Sequence, residues 1–162
     1  MKLPYRTGIG YDAHRFSENR KLILGGVEIP YEKGLLGHSD ADVLIHSICD
    51  AMLGALSLGD IGHHFPDNDI KFKDADSREL LREVNKLIND NDYKIGNIDS
   101  VIVLEKPRLA PFIDSIRKSL AEILSVQPDC ISVKATTNEQ MGFAGREEGV
   151  FSITTVMLVL NK

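Results

Sequence analysis

A chain of 162 residues, 43% apolar and 27% charged, has the size and balance of one ordinary soluble domain with a proper core. Its net charge of −5, with acids and bases interspersed, and its lack of tryptophan argue against a nucleic-acid surface built on basic stripes or stacking rings. The longest apolar run, Val156 to Leu160, falls far short of the roughly 20 residues that span a membrane. Patterned sequence begins by Thr7, where a secretory signal would otherwise lie, so a cytoplasmic protein is expected.

In chain order, residues 5–12 predict a first strand rich in small residues. Lys21 to Ile29 predicts two apolar segments hinged at Gly25-Gly26, a tight turn or bulge. Ser39-Asp40 should open a helix with Asp42 in its first turn, where negative charge suits the helix dipole. Val43, Leu44, Ile48, Cys49, Met52, Leu53 and Leu56 then recur at helical spacing to about Leu58. Cys49 falls inside that pattern and reads as a small buried hydrophobe in a reducing compartment. Ser77 or Asp76 caps a second helix whose Leu80, Leu81, Val84, Leu87 and Ile88 share a face, ending in Asn89-Asp90-Asn91-Asp92. Ile98 to Leu104 predicts a strand, and Pro111 the first residue of a third helix with Phe112, Ile113, Ile116, Leu120, Ile123 and Leu124 inward. Ile131 to Ala135 and Val150 to Leu160 predict further strands around a glycine-rich loop, Met141 to Gly149. With no internal repeat or linker, residues 1–162 read as a single layered α/β domain: a mixed four- to five-stranded sheet with helices on one face.

Asp12 and His14 are one residue apart, so on an extended strand both side chains point to the same side and can share one ion. His46 lies on the first predicted helix, with Asp42 and Asp50 four residues away on either side along the same stripe. One carboxylate and two imidazoles form the three-ligand set that catalytic zinc sites use, with a fourth position open. His38 stands just outside the helix cap after a loop bearing Gly34 and Gly37, where it can swing over a site. His63 and His64 lie in a loop with Asp60, Asp67 and Asp69, which offers a second metal site but reads more readily as a solvated loop.

Lys134 to Glu139 leaves a strand for a loop that carries Gly142, Gly145 and Gly149. Hydroxyls, backbone N–H groups and Arg146 are what anionic oxygens need, and Glu139 offers the hard oxygen that Mg²⁺ prefers. Neither a Walker loop nor a GxGxxG turn is present. No serine or cysteine nucleophile motif stands out either.

Taken together, Gly10-Tyr11-Asp12-Ala13-His14, Leu36 to Asp42 with His46, Leu58 to Asp67, Ala75 to Leu81, and Lys134 to Glu139 with Gly142 to Gly149 closely resemble the 2-C-methyl-D-erythritol 2,4-cyclodiphosphate synthases over nearly the whole chain. The resemblance implies a non-mevalonate isoprenoid enzyme that cyclises 4-diphosphocytidyl-2-C-methyl-D-erythritol 2-phosphate and releases CMP. It implies a homotrimer around a central β-lined channel, with each active site between two subunits. By position, Asp12, His14 and His46 would hold Zn²⁺, and Glu139 would face a Mg²⁺ or Mn²⁺ ion on the substrate diphosphate. His38 and Thr137 match residues assigned to transition-state stabilisation. Asp12, His14, His38 and Ser39 would surround the substrate, with Asp60, Ile61 and Gly62 at its hydroxyls. Phe65, Pro66, Asp67, Asn68 and Asp69 would close over the methylerythritol. The cytidine pocket would be Leu104, Glu105, Lys106, Pro107, Arg108, Leu109 and Ala110 with Ala135, Thr136 and Thr137, beside Asn138. Phe143 and Arg146 would lie by the channel, where relatives can hold an isoprenoid phosphate. The chain departs from the family pattern at Leu104-Glu105, where Ala-Gln is usual, and the bulkier Leu104 alters that pocket. A bacterial cytoplasm, or a plastid after loss of a transit segment, is the implied location.

Two rivals share these residues. A zinc hydrolase would use the same three ligands to activate water, with His38 or Asp60 as base. A non-catalytic trimer would bind only metal or isoprenoid phosphate.

Overall fold

The computed structural model describes residues 2–66 and 75–161. Strand β1 (Tyr5–Glu18) leads into a small hairpin, β2 (Leu22–Leu24) and β3 (Val27–Ile29), and a short strand β4 (Lys33–Leu35). Helix α1 (Val43–Ala55), a single turn α2 (Ile61–His64) and helix α3 (Ser77–Asp90) follow. Strand β5 (Tyr93–Val103), helix α4 (Ile113–Leu124), strand β6 (Ile131–Thr136), a turn α5 (Gly142–Gly145) and strand β7 (Gly149–Leu160) complete the order. The main sheet runs β4-β1-β7-β5-β6 and is mixed: β5 and β6 pair in parallel and the other pairs are antiparallel. That is the five-stranded mixed sheet expected. Among the described residues, no helix is long and apolar enough to cross a membrane.

The turn at Gly25-Gly26 is a two-residue hairpin loop, both glycines at positive φ, which is the geometry that joins twisted antiparallel strands most easily. Both of its amides donate to the fully buried Asp42 carboxylate, at 3.0 and 2.7 Å. Asp42 also accepts from Ile45 N at 3.0 Å, so it is the cap of α1 and not a first-turn residue of a helix opened by Ser39-Asp40. Burial pushes its carboxyl up to about 6, against the pull of those three N–H donors. Its side chain is therefore turned to the hairpin and not to the stripe of His46. Asp50 is likewise engaged, accepting from Ile61 N at 2.7 Å and so anchoring α2.

The elements differ in extent from the periodicities. Hydrogen bonding carries β1 on to Glu18 and starts β5 at Tyr93, well beyond the apolar cores of either segment. Pro111 sits in a 3-10 turn, Ala110–Phe112, and the α-helix begins at Ile113. Cys49 is fully buried as expected, and both it and the part-buried Cys130 are free thiols.

Helix α1 lies directly on β1. A Cβ placed on Gly8 would stand 1.9 Å from Ala51 O, and one on Gly10 1.9 Å from Ser47 O. Both obstacles are backbone, so neither can rotate aside. Four helical residues rise about 6 Å and two strand residues about 6.6 Å, so successive same-side positions of the strand meet successive turns of the helix. Arg6, on the same side, donates from Nε to Ala55 O at 2.7 Å and closes the C-terminal end of the helix. Above the contact, Ser47 Oγ donates to Leu44 O at 2.9 Å and meets Ser152 Oγ and Thr154 Oγ1 of β7 in a buried hydroxyl network. The opposite side of β1 is open to solvent, with Tyr5 60%, Ile9 69% and Tyr11 54% exposed.

Gly10→Ala is expected to displace α1 and lower unfolding free energy by about 3 kcal/mol or more, read from the shift of the urea midpoint. An unchanged midpoint would show that the helix can stand off without cost.

Candidate metal centre and its neighbouring cavity

The next two same-side positions of β1 after Gly8 and Gly10 are Asp12 and His14, and where α1 ends they replace close contact with chemistry. Asp12 Oδ2 lies 2.9 Å from His14 Nε2 and 3.0 Å from His46 Nδ1, and the two ring nitrogens are 3.2 Å apart. Asp12, His14 and His46 form the group of His, Cys, Asp and Glu able to hold a metal ion among the described residues.

The outer hydrogen bonds fix which nitrogen carries the lone pair. His14 Nδ1 stands 2.9 Å from Leu36 O, and a carbonyl can only accept, so Nδ1 holds the proton and Nε2 is free. His46 Nε2 lies 3.0 Å from Ser77 Oγ and 3.2 Å from Ser39 Oγ. Ser77 gives its hydroxyl proton to the Asp40 carboxylate, so it accepts from His46 Nε2–H and leaves His46 Nδ1 unprotonated. Two imidazole lone pairs and a carboxylate oxygen thus converge with no proton of their own between them. Donors of a tetrahedral zinc site, with Zn–N near 2.0–2.1 Å, stand about 3.3 Å apart. The observed 2.9–3.2 Å spacing fits such an ion.

Electrostatics favour positive charge at the same point. Burial acts to raise the Asp12 pKa, but the hydrogen bonds and charge of His14 and His46 overcome it and hold the carboxyl well below the usual range. Burial acts to lower the His14 pKa, and Asp12 outweighs it, so the net shift is upward. A proton and a cation compete for one place.

Asp40 ties the approach loop to α3. Its Oδ2 accepts from Ser77 N at 3.1 Å, its Oδ1 from Asp42 N at 3.2 Å, and its own amide donates to Ala75 O at 3.3 Å. Asp12, His14, Gly37, His38, Ser39, His46, Ile61, Phe65 and Leu80 line a cavity of about 250 Å³. His38 is exposed at its edge and Ser39 is buried within. Asp60 caps α2, accepting from His63 N at 2.9 Å, while Gly62 is exposed and Pro66 part-buried. His64 meets Leu58 O at 2.8 Å through Nε2. The expected contacts Asp67, Asn68 and Asp69 lie outside the described residues.

A second cavity, of about 590 Å³, is lined by Leu104, Glu105, Pro107, Arg108, Leu109, Ala110, Ile113, Ala135, Thr136 and Thr137. Of the run anticipated from sequence as a cytidine pocket, all but Lys106 line this cavity, and Ile113 joins them; Lys106 pairs instead with Glu147 at 3.0 Å. Leu104 is itself buried, its amide donating to Thr136 O at 3.1 Å to extend the β5–β6 ladder. Asn138 and the exposed Glu139 follow in the loop beyond Thr137. Among the described residues none lines both cavities, so the triad and Thr137 open onto separate cavities of the chain. Phe143 is 37% exposed with its ring 5.6 Å from Phe151, and Arg146 donates from Nε to Glu148 at 2.7 Å.

A model described as the YgbB family matches residues 5–159. The chain is 58% identical over 95% of its length to the 2-C-methyl-D-erythritol 2,4-cyclodiphosphate synthase of Clostridium acetobutylicum, spanning 99% of that protein. It is 60% identical over 94% of its length to the synthase of the same name in Geobacter metallireducens, spanning 98% of it. Among solved structures, Plasmodium falciparum IspF in complex with CDP superposes with a TM-score of 0.87 at 33% identity, with all of both chains covered.

Ser77→Ala removes the acceptor that holds His46 Nε2–H and is expected to weaken zinc binding about tenfold with the fold intact, measured by competition with a chromophoric chelator. In the wild type the same assay should show affinity falling as pH drops through the raised His14 pKa, about tenfold per unit for one displaced proton. Equal affinity in Ser77→Ala, or affinity independent of pH, would contradict the lone-pair assignment.

Proposed function

The chain belongs to the YgbB family, and on that premise we propose that it is a 2-C-methyl-D-erythritol 2,4-cyclodiphosphate synthase. It converts 4-diphosphocytidyl-2-C-methyl-D-erythritol 2-phosphate to the 2,4-cyclodiphosphate and CMP in non-mevalonate isoprenoid synthesis. In class it is a cyclising phosphorus–oxygen lyase acting as one domain in the cytoplasm of a bacterium, or in a plastid. The observation that carries the reading is the convergence of Asp12, His14 and His46 on one point, in a chain that matches the named synthases along nearly its whole length.

Chemically the reaction needs little from covalent catalysis. An oxygen of the substrate's 2-phosphate attacks the outer phosphorus of the diphosphate, and the bond from that phosphorus to the CMP oxygen breaks. The attacking phosphate is largely ionised near neutral pH, so no protein base is required, and no nucleophilic serine or cysteine is needed. What the chain must supply is alignment and compensation of charge. Asp12, His14 and His46 would hold Zn²⁺, and Glu139 a Mg²⁺ or Mn²⁺ ion. Bound there, such ions would supply positive charge for the phosphoryl oxygens and the leaving group, each worth several kcal/mol in general. His38 at the mouth of the triad cavity and Thr137 at the second cavity would steady charge on the transferred phosphoryl group. Ser39, Asp60, Ile61, Gly62, Phe65 and Pro66 would hold the methylerythritol end, joined by Asp67, Asn68 and Asp69. The cavity lined by Leu104, Glu105, Pro107 to Ala110 and Ala135 to Thr137 would take the cytidine.

Because the two cavities share no residue among those described, a complete site would form from the triad of one subunit and the nucleotide cavity of another. The open side of β1, with Tyr5, Ile9 and Tyr11 exposed, offers the surface on which copies would meet as a homotrimer around a β-lined channel. Phe143 and Arg146 would stand by that channel, where an isoprenoid phosphate could sit.

Incubation with the cytidine substrate should give CMP and one cyclic diphosphate by phosphorus NMR, and not two linear phosphates. Linear products would turn the assignment to a zinc phosphohydrolase, and no turnover to a binding protein. His46→Ala should abolish turnover while circular dichroism stays native; an active, zinc-free variant would sink the metal assignment. Enzyme stripped with EDTA should recover only when Zn²⁺ is restored together with Mg²⁺ or Mn²⁺.

A further inference from the structure

Glu105 stands just past the end of β5 and lines the larger cavity. The sequence placed it among residues that contact cytidine, but its side chain is directed to the protein. Its Oε1 accepts from Asn138 N at 2.9 Å and from Gln140 N at 3.2 Å. Those amides flank Glu139, in a loop where Glu139 and Gln140 both hold left-handed backbone, φ +51 and +60. Two consecutive non-glycine residues in that region persist only where their surroundings over-determine them.

The loop has other restraints, but they are local. Asn138 Nδ2 donates to Met141 O at 2.8 Å, and Met141 N to Asn138 O at 2.9 Å. Gly145 lies against the Gln140 backbone, where a Cβ would meet Gln140 C at 2.2 Å. These fix the loop's shape, whereas Glu105 fixes its position relative to the end of β5 and the cavity wall. A carboxylate oxygen is a strong acceptor for two amides at once, and both bonds go to backbone.

We propose that Glu105 is a positioning residue: by clamping the amides of Asn138 and Gln140 it sets where the Glu139 carboxylate and the Thr137 hydroxyl stand, and so couples the nucleotide cavity to the divalent-ion ligand. This rests on the reading of Glu139 as that ligand. It also gives the Leu104-Glu105 pair a role: Leu104 is held in the ladder and Glu105 in the loop, so neither side chain need read the base. A glutamine would present an amide oxygen in the same place and keep the clamp, and an alanine would release it.

The test uses zinc-loaded enzyme with the cytidine substrate, and measures the Mn²⁺ concentration for half-maximal rate, kcat and CDP affinity. Glu105→Ala should raise the Mn²⁺ requirement about tenfold, the usual scale for removing a hydrogen bond that orients a metal ligand. It should also lower kcat while CDP affinity changes little. Glu105→Gln should bring the Mn²⁺ requirement back near the wild-type value. Should the alanine variant fail to fold, Glu105→Met, of similar length without an acceptor, replaces it. An unchanged Mn²⁺ requirement in the variant lacking the acceptor would overturn the proposal, as would a loss confined to CDP affinity or a glutamine variant as impaired as alanine. Glu139→Ala separates the two levels. If it too leaves the Mn²⁺ requirement unchanged, the reading of Glu139 as ligand has failed; if it alone raises the requirement, only the role of Glu105 has.

Discussion

Everything in this site depends on how closely α1 can lie on β1. The side of β1 that faces the helix carries Arg6, Gly8, Gly10, Asp12 and His14 in alternation. Arg6 meets the last turn of α1 at Ala55, Gly8 meets Ala51 and Ala55, and Gly10 meets Ser47 and Ala51. The strand therefore traces the helix from its C-terminal to its N-terminal end, one turn for every two residues. Absent side chains at 8 and 10 bring the two backbones into contact. The next step along the strand reaches the turn that bears His46, at a separation a carboxylate and an imidazole can bridge directly. With larger residues at 8 and 10 the helix would stand further off, and the 3.0 Å contact from Asp12 to His46 would open. The convergence of Asp12, His14 and His46 is in this sense a consequence of backbone packing.

The same contact explains the hydrogen bonds around the three side chains. Each imidazole is held from behind by an acceptor, Leu36 O for His14 and the Ser77 hydroxyl for His46. Leu36 is placed by β1, its amide donating to Arg15 O at 2.9 Å, and Ser77 by the loop that leads into the helix. Asp42, capping α1 and gripping the β2–β3 turn, stations the loop from Gly37 to Ala41; Asp40 in that loop takes the Ser77 proton and amide at the start of α3. One buried carboxylate and one half-buried carboxylate thus align four separate segments on two ring nitrogens. Neither of them offers an oxygen to the triad.

Local chemistry was legible in the sequence where it was decided locally. The Gly25-Gly26 turn, the inward face of α3 and the alternation of Asp12 with His14 follow from residue type and spacing alone, and each stands in the structure. The three-residue edge strand β4 and the single turn α2 are too short to impose a period, so nothing in residues 33–35 or 61–64 announced them. The stripe of Asp42, His46 and Asp50 was misleading for a related reason. Equal spacing on a helix says which residues share a side, but not that Asp42 at the helix end would turn to satisfy the amides at Gly25 and Gly26. Ser77 bonding to His46 joins residues 31 apart and had no sequence signal beyond its place in a helix start. Lys106 could be placed in the cavity run by position, but its attraction to Glu147 is a tertiary fact.

Charge gives the arrangement its direction. The Asp12 carboxylate, held ionised by its two histidine neighbours, puts negative charge at the point where the three side chains meet, and that charge alone would repel an anionic substrate. A single divalent ion held by Asp12, His14 and His46 would reverse the local sign to positive. At an effective dielectric near 20, two unit charges 4 Å apart interact by about 4 kcal/mol, so the reversal changes a comparable penalty into a comparable attraction. An acidic chain, −5 overall, can gather a polyphosphate only if positive charge is concentrated in this way. The lone pairs fixed by Leu36 O and Ser77 Oγ are what allow a cation, and not a proton alone, to occupy the point where Asp12, His14 and His46 meet.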